Sequence, residues 1–127
     1  MKKDFDSWNK EKKKLQMSDS FKHYHEQEIW WCSMGLNLGE ENDGKNQFFE
    51  RPVLVIKKFN RRVAWVVPMS TKVKYNRYYH LHNYNGKIFS ILLSQLKLVS
   101  VKRLRRFSRK MGRSEFNLIL KKLKQIL

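Results

Sequence analysis

The residues best suited to chemistry in this sequence lie at the start of a short apolar run near its middle. Arg51 and Pro52 open the run VLVI, and a basic pair closes it. The run is too short and too β-branched for a helix, so it predicts a buried strand beginning at Pro52, which cannot donate to a ladder. Arg51 is then predicted at the mouth of this strand, where a rigid element presents a planar guanidinium that matches phosphate oxygens. The alternative for Arg51 is a salt bridge to Glu50 or Glu28.

Hydroxyl and imidazole side chains come next. Ser70 and Thr71 follow a second apolar run, residues 63–69, and can hydrogen-bond a phosphate; the alternative is turn chemistry. His80 and His82 lie two apart in an alternating segment and therefore share one face of a strand. An imidazole pair suits acid–base chemistry near neutral pH, and the alternative is a surface strand with mixed polar residues. Two histidines without a third ligand are weak support for a metal, so no metal or cofactor is expected.

Charge divides the chain into two unequal halves. Residues 1–50 hold 8 Lys against 10 Asp+Glu, for a net of −2, whereas residues 51–127 hold 20 Lys+Arg against one acid, Glu115, for a net of +19. Such an imbalance favours a polyanionic partner, so we expect nucleic acid first, an acidic protein second and an anionic membrane third. Cations with interleaved aromatic rings are typical of single-stranded nucleic acid binding, and the alternative is a solvated basic face. The residues predicted to bind RNA are Lys57, Lys58, Arg61, Arg62, Lys72, Lys74, Tyr75 and Arg77.

Cysteine usage and hydropathy restrict the setting. Cys32 is the single cysteine of the 127 residues, so no internal disulfide is possible, and its place beside two tryptophans predicts a buried structural thiol. No apolar run approaches the ~18 residues of a membrane span, and the N-terminus lacks a signal sequence. We therefore expect a cytoplasmic protein without a membrane partner.

The elements that must position these residues are short strands followed by helices. The spacing predicts an N-terminal arm over residues 1–26 that is helical or partly disordered. It then predicts a strand at 28–32, a loop to residue 49, a hairpin of residues 52–56 and 63–69, a second hairpin turning at Asn85-Gly86, a short helix over 101–107 and a final helix capped by Ser114. Five to six short strands with a C-terminal helix predict a mainly β fold, a small SH3-like barrel or a strongly bent sheet.

Four segments of the sequence, in this order, resemble the MazF/PemK toxins. They are EIWW at residues 28–31, the glycine-containing loop from Gly39 to Gly44, RPVLVI at residues 51–56, and SILLSQLK at residues 90–97 with the basic stretch after it. The resemblance covers residues 27–127. It implies a toxin of a type II toxin–antitoxin system with the MazF/CcdB-type barrel. It also implies a homodimer that cuts single-stranded RNA without a metal, leaving a 2′,3′-cyclic phosphate, and that an acidic antitoxin blocks.

The resemblance also assigns residues. Arg51 matches the catalytic arginine of the family, and Ser70 matches its hydroxyl residue. The chain departs from the family in a longer loop before Arg51, and it has no acid between Glu50 and Glu115 to serve as the base that some members use. The resemblance and the residue types together predict four catalytic residues, which are Arg51, Ser70, Thr71 and His80. The alternatives are a nucleic-acid-binding module without catalysis and a gyrase-directed toxin of the CcdB kind.

Overall fold

The computed structural model describes residues 23–36 and 48–127. The predicted arm up to residue 22 and the glycine-containing loop within 37–47 lie outside the described residues. The described part contains seven strands, two 3-10 turns and one α-helix. They are β1 (Glu28–Leu36), β2 (Phe48–Lys58), β3 (Val63–Ser70), β4 (Tyr79–Tyr84), β5 (Lys87–Leu92), the turn Leu93–Gln95, β6 (Lys97–Ser100), the turn Val101–Arg103, β7 (Leu104–Lys110) and α1 (Arg113–Ile126). Among the described residues, no helix has the length and apolar character that a membrane span requires.

The strands form one bent antiparallel sheet in the order β4-β5-β3-β2-β1-β7, and β6 pairs with β3 beside β5. No ladder joins the edge strands β4 and β7 in the described part of the chain. Their side chains nevertheless meet, because His82 Nε2 on β4 lies 2.9 Å from an Nη2 of Arg109 on β7. The predicted mainly β fold with a C-terminal helix is confirmed, but the strands number seven rather than five to six and the sheet is not a closed barrel.

Burial on both faces explains the unbroken apolar runs of β2 and β3. Alternate side chains of a strand point to opposite faces, so one buried face gives an alternating pattern and two give a continuous one. On one face α1 covers Ile29, Leu54, Ile56, Val67 and Met69 with Phe116, Ile119 and Leu123. On the other face Trp30, Cys32, Val53, Val55 and Val66 pack with Tyr24, Val99, Val101 and Leu104. The prediction of a buried thiol at Cys32 is confirmed, and burial raises its pKa to about 11.

Arg51 and Pro52 lie inside β2, and the prediction that the strand starts at Pro52 is wrong. The strand begins at Phe48 and pairs with β1 along its first half, with Pro52 opposite Trp31. The ladder with β3 begins only at Val53. Within the described residues Pro52 therefore sits where one edge of β2 has no partner strand, a position at which a missing N–H is tolerated.

The segment after β6 departs most from the sequence pattern. The helix predicted over residues 101–107 is limited to the turn Val101–Arg103, at whose start the Ser100 hydroxyl accepts a hydrogen bond from the backbone N–H of Lys102 at 3.3 Å. The chain then continues as β7 and pairs with the open edge of β1. Long-range pairing thus overrides the local helical preference of a basic segment.

The two remaining local predictions have different outcomes. The turn at Asn85-Gly86 is confirmed, with φ of 52° and 83°, the conformation of a type I′ hairpin. The helix α1 begins one residue before the predicted cap, because Gly112 rather than Ser114 is its N-cap. Of the predicted apolar stripe, Leu127 is 90% exposed.

Candidate functional site

A cavity of about 350 Å³ lies beside the end of β3 and contains three of the four predicted catalytic residues. Arg51 comes from β2, Ser70 from the last position of β3, and Thr71 from the residue after it. The described residues that line the cavity are Trp31, Glu50, Arg51, Pro52, Met69, Ser70, Thr71, Lys87, Phe89, Ser108 and Arg109. Side chains from β1, β2, β3, β5 and β7 thus converge on one concave space.

The register of the β2–β3 hairpin brings the arginine and the serine together. Val53 pairs with Pro68 in this ladder. Continuing the register by two residues places Arg51 across from Ser70. On its other side Arg51 pairs with Cys32 of β1, so β2 is held from that edge. The arginine is half-buried, and a rigid strand rather than a loop sets the position of its backbone.

Ser70 also has the turn role that the sequence left open. Its Oγ accepts a hydrogen bond from the backbone N–H of Lys72 at 3.1 Å, which confirms turn chemistry at this position. A hydroxyl that accepts one bond still has its own hydrogen to donate. Ser90 fixes the same connection two residues later, because its Oγ accepts from the backbone N–H of Lys74 at 3.1 Å. Ser70 can therefore shape the loop and donate into the cavity.

The two acids named as alternative partners of Arg51 have other contacts. Glu50 Oε1 accepts a hydrogen bond from Arg106 at 3.2 Å. Glu28 accepts from the indole Nε1 of Trp30 at 2.9 Å and lies 3.3 Å from His25. Among the described residues, Glu50 is the only carboxylate in the lining of the cavity, and its pairing with Arg106 reduces the repulsion that an anionic ligand would meet there.

Arg109 supplies a further guanidinium to the cavity. Its Cζ lies 3.8 Å from the centroid of the Tyr84 ring, a cation–π contact, and its Nη1 donates to Ser108 at 3.3 Å. Its Nη2 donates to Nε2 of His82 at 2.9 Å. Burial lowers the pKa of Arg109 from its usual range, because the half-buried cation has lost part of its hydration.

Behind Arg109 lies a cluster of two buried histidines, His80 and His82, with the half-buried Glu115 and Lys122. The Glu115 carboxylate accepts from Nε2 of His80 at 2.9 Å and from Nδ1 of His82 at 3.0 Å. Lys122 Nζ donates to Nδ1 of His80 at 2.9 Å. Each imidazole thus faces the carboxylate with one nitrogen and a cation with the other, an arrangement that favours the neutral ring. The interpretation of a surface strand is wrong, since His80 and His82 are 6% and 5% exposed.

The acid–base balance of the cluster follows from this geometry. Burial lowers the pKa of His80, against the opposing effect of its hydrogen bond to Glu115. Burial alone would raise the pKa of Glu115, but the hydrogen bonds from His82 and His80 outweigh it, and the pKa lies below its usual range. Glu115 is therefore a carboxylate that accepts a hydrogen bond from each of the two imidazoles. His80 does not line the cavity; it reaches it only through this cluster.

Comparison with known proteins identifies the family. Residues 25–127 match the model of the PemK-like, MazF-like toxins of type II toxin–antitoxin systems. The chain belongs to this family. No curated protein gives a match to the chain.

Solved structures share the toxin fold at low sequence identity. MazF from Deinococcus radiodurans has a TM-score of 0.65 at 15% identity, over 81% of this chain and 94% of that one. The MazE–MazF complex from the same organism gives 0.66 at 16% identity, with the same coverage. An endoribonuclease in complex with its cognate antitoxin, from a mycobacterial species, gives 0.63 at 10% identity, over 80% of this chain and 92% of that one.

The residues that the sequence predicts to bind RNA fall into two groups in this toxin. Lys72, Lys74, Tyr75 and Arg77 lie on the exposed connection from β3 to β4 that leaves the edge of the cavity. Lys57, Lys58, Arg61 and Arg62 lie at the β2–β3 turn, at the far end of the same hairpin. At about 3.3 Å per residue, the strand β3 separates the two groups by roughly 23 Å.

The cavity and cluster of the toxin include residues for which the sequence analysis assigned no site. Lys87 and Arg109 line the cavity, and Glu115 joins the two histidines. Glu115 had a usable signal, because a single acid among 20 cations is a natural partner for buried polar groups. Arg109 has no such signal in the sequence, since one arginine in a basic run does not differ from its neighbours. Among the described residues, no group of three or more His, Cys, Asp and Glu could hold a metal.

Proposed function

We propose that this toxin is an endoribonuclease that cuts single-stranded mRNA at selected sequences without a metal. The observation that carries the proposal is the gathering of Arg51, Ser70 and Thr71, with two further cations, around one cavity. Family membership supports it, as does the likeness in fold to proteins described as MazF and as an endoribonuclease. A phosphodiester in this cavity would meet positive charge and hydroxyl donors together, which is what transfer at phosphorus requires.

The proposed reaction is attack by the neighbouring 2′-hydroxyl. The 2′-oxygen loses its proton and bonds to phosphorus, the bond from phosphorus to the 5′-oxygen breaks, and the 5′-oxygen gains a proton. The products are a 2′,3′-cyclic phosphate and a 5′-hydroxyl. Arg51 would bind the phosphate oxygens with its planar fork and stabilise the charge of the phosphorane. Ser70 and Thr71 would hydrogen-bond the same phosphate. His80 is outside the cavity, and we give it no part in proton transfer.

The RNA would leave the cavity along the β3–β4 connection. Tyr75 is 82% exposed and available to stack on a base, while Lys72 and Lys74 lie beside it for phosphate contacts. The backbone of this connection is held at Ser70 and Ser90, so its cations extend from a fixed base. This segment would also contribute to the choice of cleavage sequence.

An acidic antitoxin and a second copy of the chain are the proposed protein partners. A net charge of +19 over residues 51–127 favours an acidic protein that neutralises the basic surface. Similar structures are described as complexes with MazE and with a cognate antitoxin. The homodimer follows from the family resemblance. Cleavage of mRNA would take place in the cytoplasm.

The deciding experiment incubates the purified full-length protein with a long single-stranded RNA in the presence of EDTA. Wild type should give discrete fragments with cyclic-phosphate ends, and Arg51→Ala should give none. The matched control is Arg61→Ala at the far end of the hairpin, which should cut like wild type. Binding of RNA without cleavage by wild type would overturn the proposal in favour of a binding module. Cleavage that disappears with EDTA would overturn its metal independence.

A further inference from the structure

Arg109 is the starting point, because its half-buried positive charge forms no direct ion pair with a carboxylate of the described residues. None of the ion pairs between described residues includes Arg109. The guanidinium donates to His82 and Ser108, and neither contact supplies a carboxylate. A buried charge is costly unless it is paired, and a neutral partner orients a guanidinium without neutralising it. Among the described residues, no carboxylate therefore contacts this guanidinium directly, and Glu115 acts on it only at longer range.

The position of Arg109 indicates where that anion would bind. It lines the same cavity as Arg51 and Lys87, and these three cations come from β2, β5 and β7. Two of the five guanidinium N–H groups are used by His82 and Ser108, which leaves up to three for a ligand. Stacking on Tyr84 at 3.8 Å keeps the plane of the guanidinium fixed.

His82 acts as a support for this arginine. Its Nδ1 donates to Glu115 at 3.0 Å, and this bond fixes the tautomer in which Nε2 is an acceptor. That Nε2 faces Arg109. Glu115 therefore fixes the orientation of the His82 ring, and the ring in turn fixes the orientation of the guanidinium. The carboxylate is anchored in turn at the start of α1, where it also bonds His80. The support joins β4, β7 and the helix.

We propose that Arg109 is a second phosphate-binding residue of the cavity and that His82, held by Glu115, is its positioning residue. This inference rests on the proposed function for its substrate, the phosphodiester of single-stranded RNA. Two arginines, one from β2 and one from β7, would together hold the non-bridging oxygens of one phosphate. The support by His82 would then affect the rate at saturating RNA more than the affinity, because it sets orientation and not charge.

The test for Arg109 uses the full-length protein and two RNAs. One is a cleavable oligonucleotide followed under single-turnover conditions, and the other is its 2′-O-methyl analogue, which lacks the attacking hydroxyl and reports binding by fluorescence anisotropy across salt concentrations. Arg109→Ala should lower the cleavage rate by about 100-fold and reduce the salt slope by about 0.7, the share of one phosphate contact on a single strand. Arg105→Ala, an exposed arginine of the same strand, should leave the rate at the wild-type value.

A folded Arg109→Ala protein with the rate and salt slope of wild type would overturn the proposal. If that variant unfolds, Arg109→Lys is the deciding variant, because it keeps the positive charge and loses the planar guanidinium. It should retain the salt slope of RNA binding and lose cleavage. Cleavage at the wild-type rate would overturn the role of Arg109 in binding the phosphate. If wild type binds but never cuts, the proposed function fails, and the slope measured on the analogue still decides whether Arg109 contacts a phosphate.

The role of His82 is tested by substitution with Asn or Gln, whose amide groups each replace one of the two hydrogen-bonding nitrogens of the imidazole. His82→Asn retains a donor toward Glu115 and removes the acceptor for Arg109, while His82→Gln restores an acceptor at the position of Nε2. The Asn variant should lose about tenfold in rate at saturating RNA, within the cost of a misplaced catalytic group, and the Gln variant should recover part of it. Equal rates for wild type and both folded variants would overturn the positioning role.

Discussion

The two ends of the β2–β3 hairpin are both basic, yet only one of them has the arrangement of a reactive site. At the turn end, Arg61 and Arg62 project from a tight turn whose polar groups serve structure: Asn60 Oδ1 accepts from the backbone of Arg62 at 2.7 Å, and the Tyr24 hydroxyl donates to the Asn60 carbonyl at 2.6 Å. At the cavity end, cations and hydroxyls from separate strands surround a concave space of about 350 Å³.

The residues that support the two ends of the β2–β3 hairpin also differ. The cavity end is supported by the cluster of His80, His82, Glu115 and Lys122, which holds Arg109. The turn end rests on the apolar packing of Tyr24, whose burial raises its pKa to about 12. Positive charge alone therefore predicts affinity for a polyanion at either end, whereas chemistry requires convergence and support.

The largest difference is expected from the same conservative change at each end. Arg51→Lys keeps the charge but loses the planar fork, so the cleavage rate should fall by on the order of 10²- to 10³-fold. Arg61→Lys at the turn end should stay within about twofold of wild type, since Arg61 does not line the cavity. Single-turnover cleavage of one RNA oligonucleotide measures both. Equal loss in the two variants would remove the distinction between the ends.

The support of the cavity end is tested by stability. Glu115→Ala removes the acceptor of two buried imidazole N–H groups and should lower the free energy of unfolding by about 2 kcal/mol. Urea denaturation followed by tryptophan fluorescence measures this change. Asn117→Ala, at an exposed position of the same helix, is the control and should change stability by less than about 0.5 kcal/mol. A Glu115→Ala protein as stable as the control would show that the cluster does not support the site.

These regions also show how far the sequence could predict the structure. The β2–β3 hairpin could be predicted because two apolar runs and a short connection specify a local antiparallel pair, and its register, continued by two residues, places Arg51 across from Ser70. The hydrogen bond of His82 to Arg109 could not be predicted, because it joins residues 27 apart on the two edge strands of the sheet. That meeting depends on the bend of the whole sheet.

The same limit explains why the sequence predicts a helix over residues 101–107, which include the first four residues of β7. Its sequence, LRRFSRK, has neither the alternation of a half-buried strand nor an apolar run. Only Leu104 is fully buried, and the segment is a strand because the edge of β1 is available to it. Local composition does not show that this edge of β1 is available. The sequence therefore predicts neither the strand β7 nor the position of Arg109 in the cavity.

A smaller effect is expected when charge is removed near each end without touching the cavity lining. The double variant Lys72→Gln/Lys74→Gln should reduce the salt slope of RNA binding by about 1.4, at about 0.7 for each lost phosphate contact on a single strand. The double variant Lys57→Gln/Arg61→Gln at the turn end should leave the slope unchanged. Anisotropy with the 2′-O-methyl oligonucleotide measures both slopes. Equal reductions would mean that RNA follows the whole length of the hairpin.

The smallest expected effect is the pH dependence that His80 adds to stability. Its pKa lies below the ordinary value of 6.5 because of burial, with Glu115, Lys122 and His82 around it. Below about pH 6.5 the unfolded chain therefore binds the proton more readily, so the stability from His80 is present above that pH and is lost as the pH falls through its folded pKa.

The melting temperature should consequently drop between about pH 7.5 and about pH 5.5, and it should drop less in His80→Gln, which keeps a donor toward Glu115 but has no imidazole to titrate. His23→Gln, an exposed position, is the control and should follow wild type. A drop in His80→Gln as large as in wild type would contradict a neutral His80 in the fold. The placement of a neutral His80 between Glu115 and Lys122 would then need revision at the cavity end, while the turn end would be unaffected.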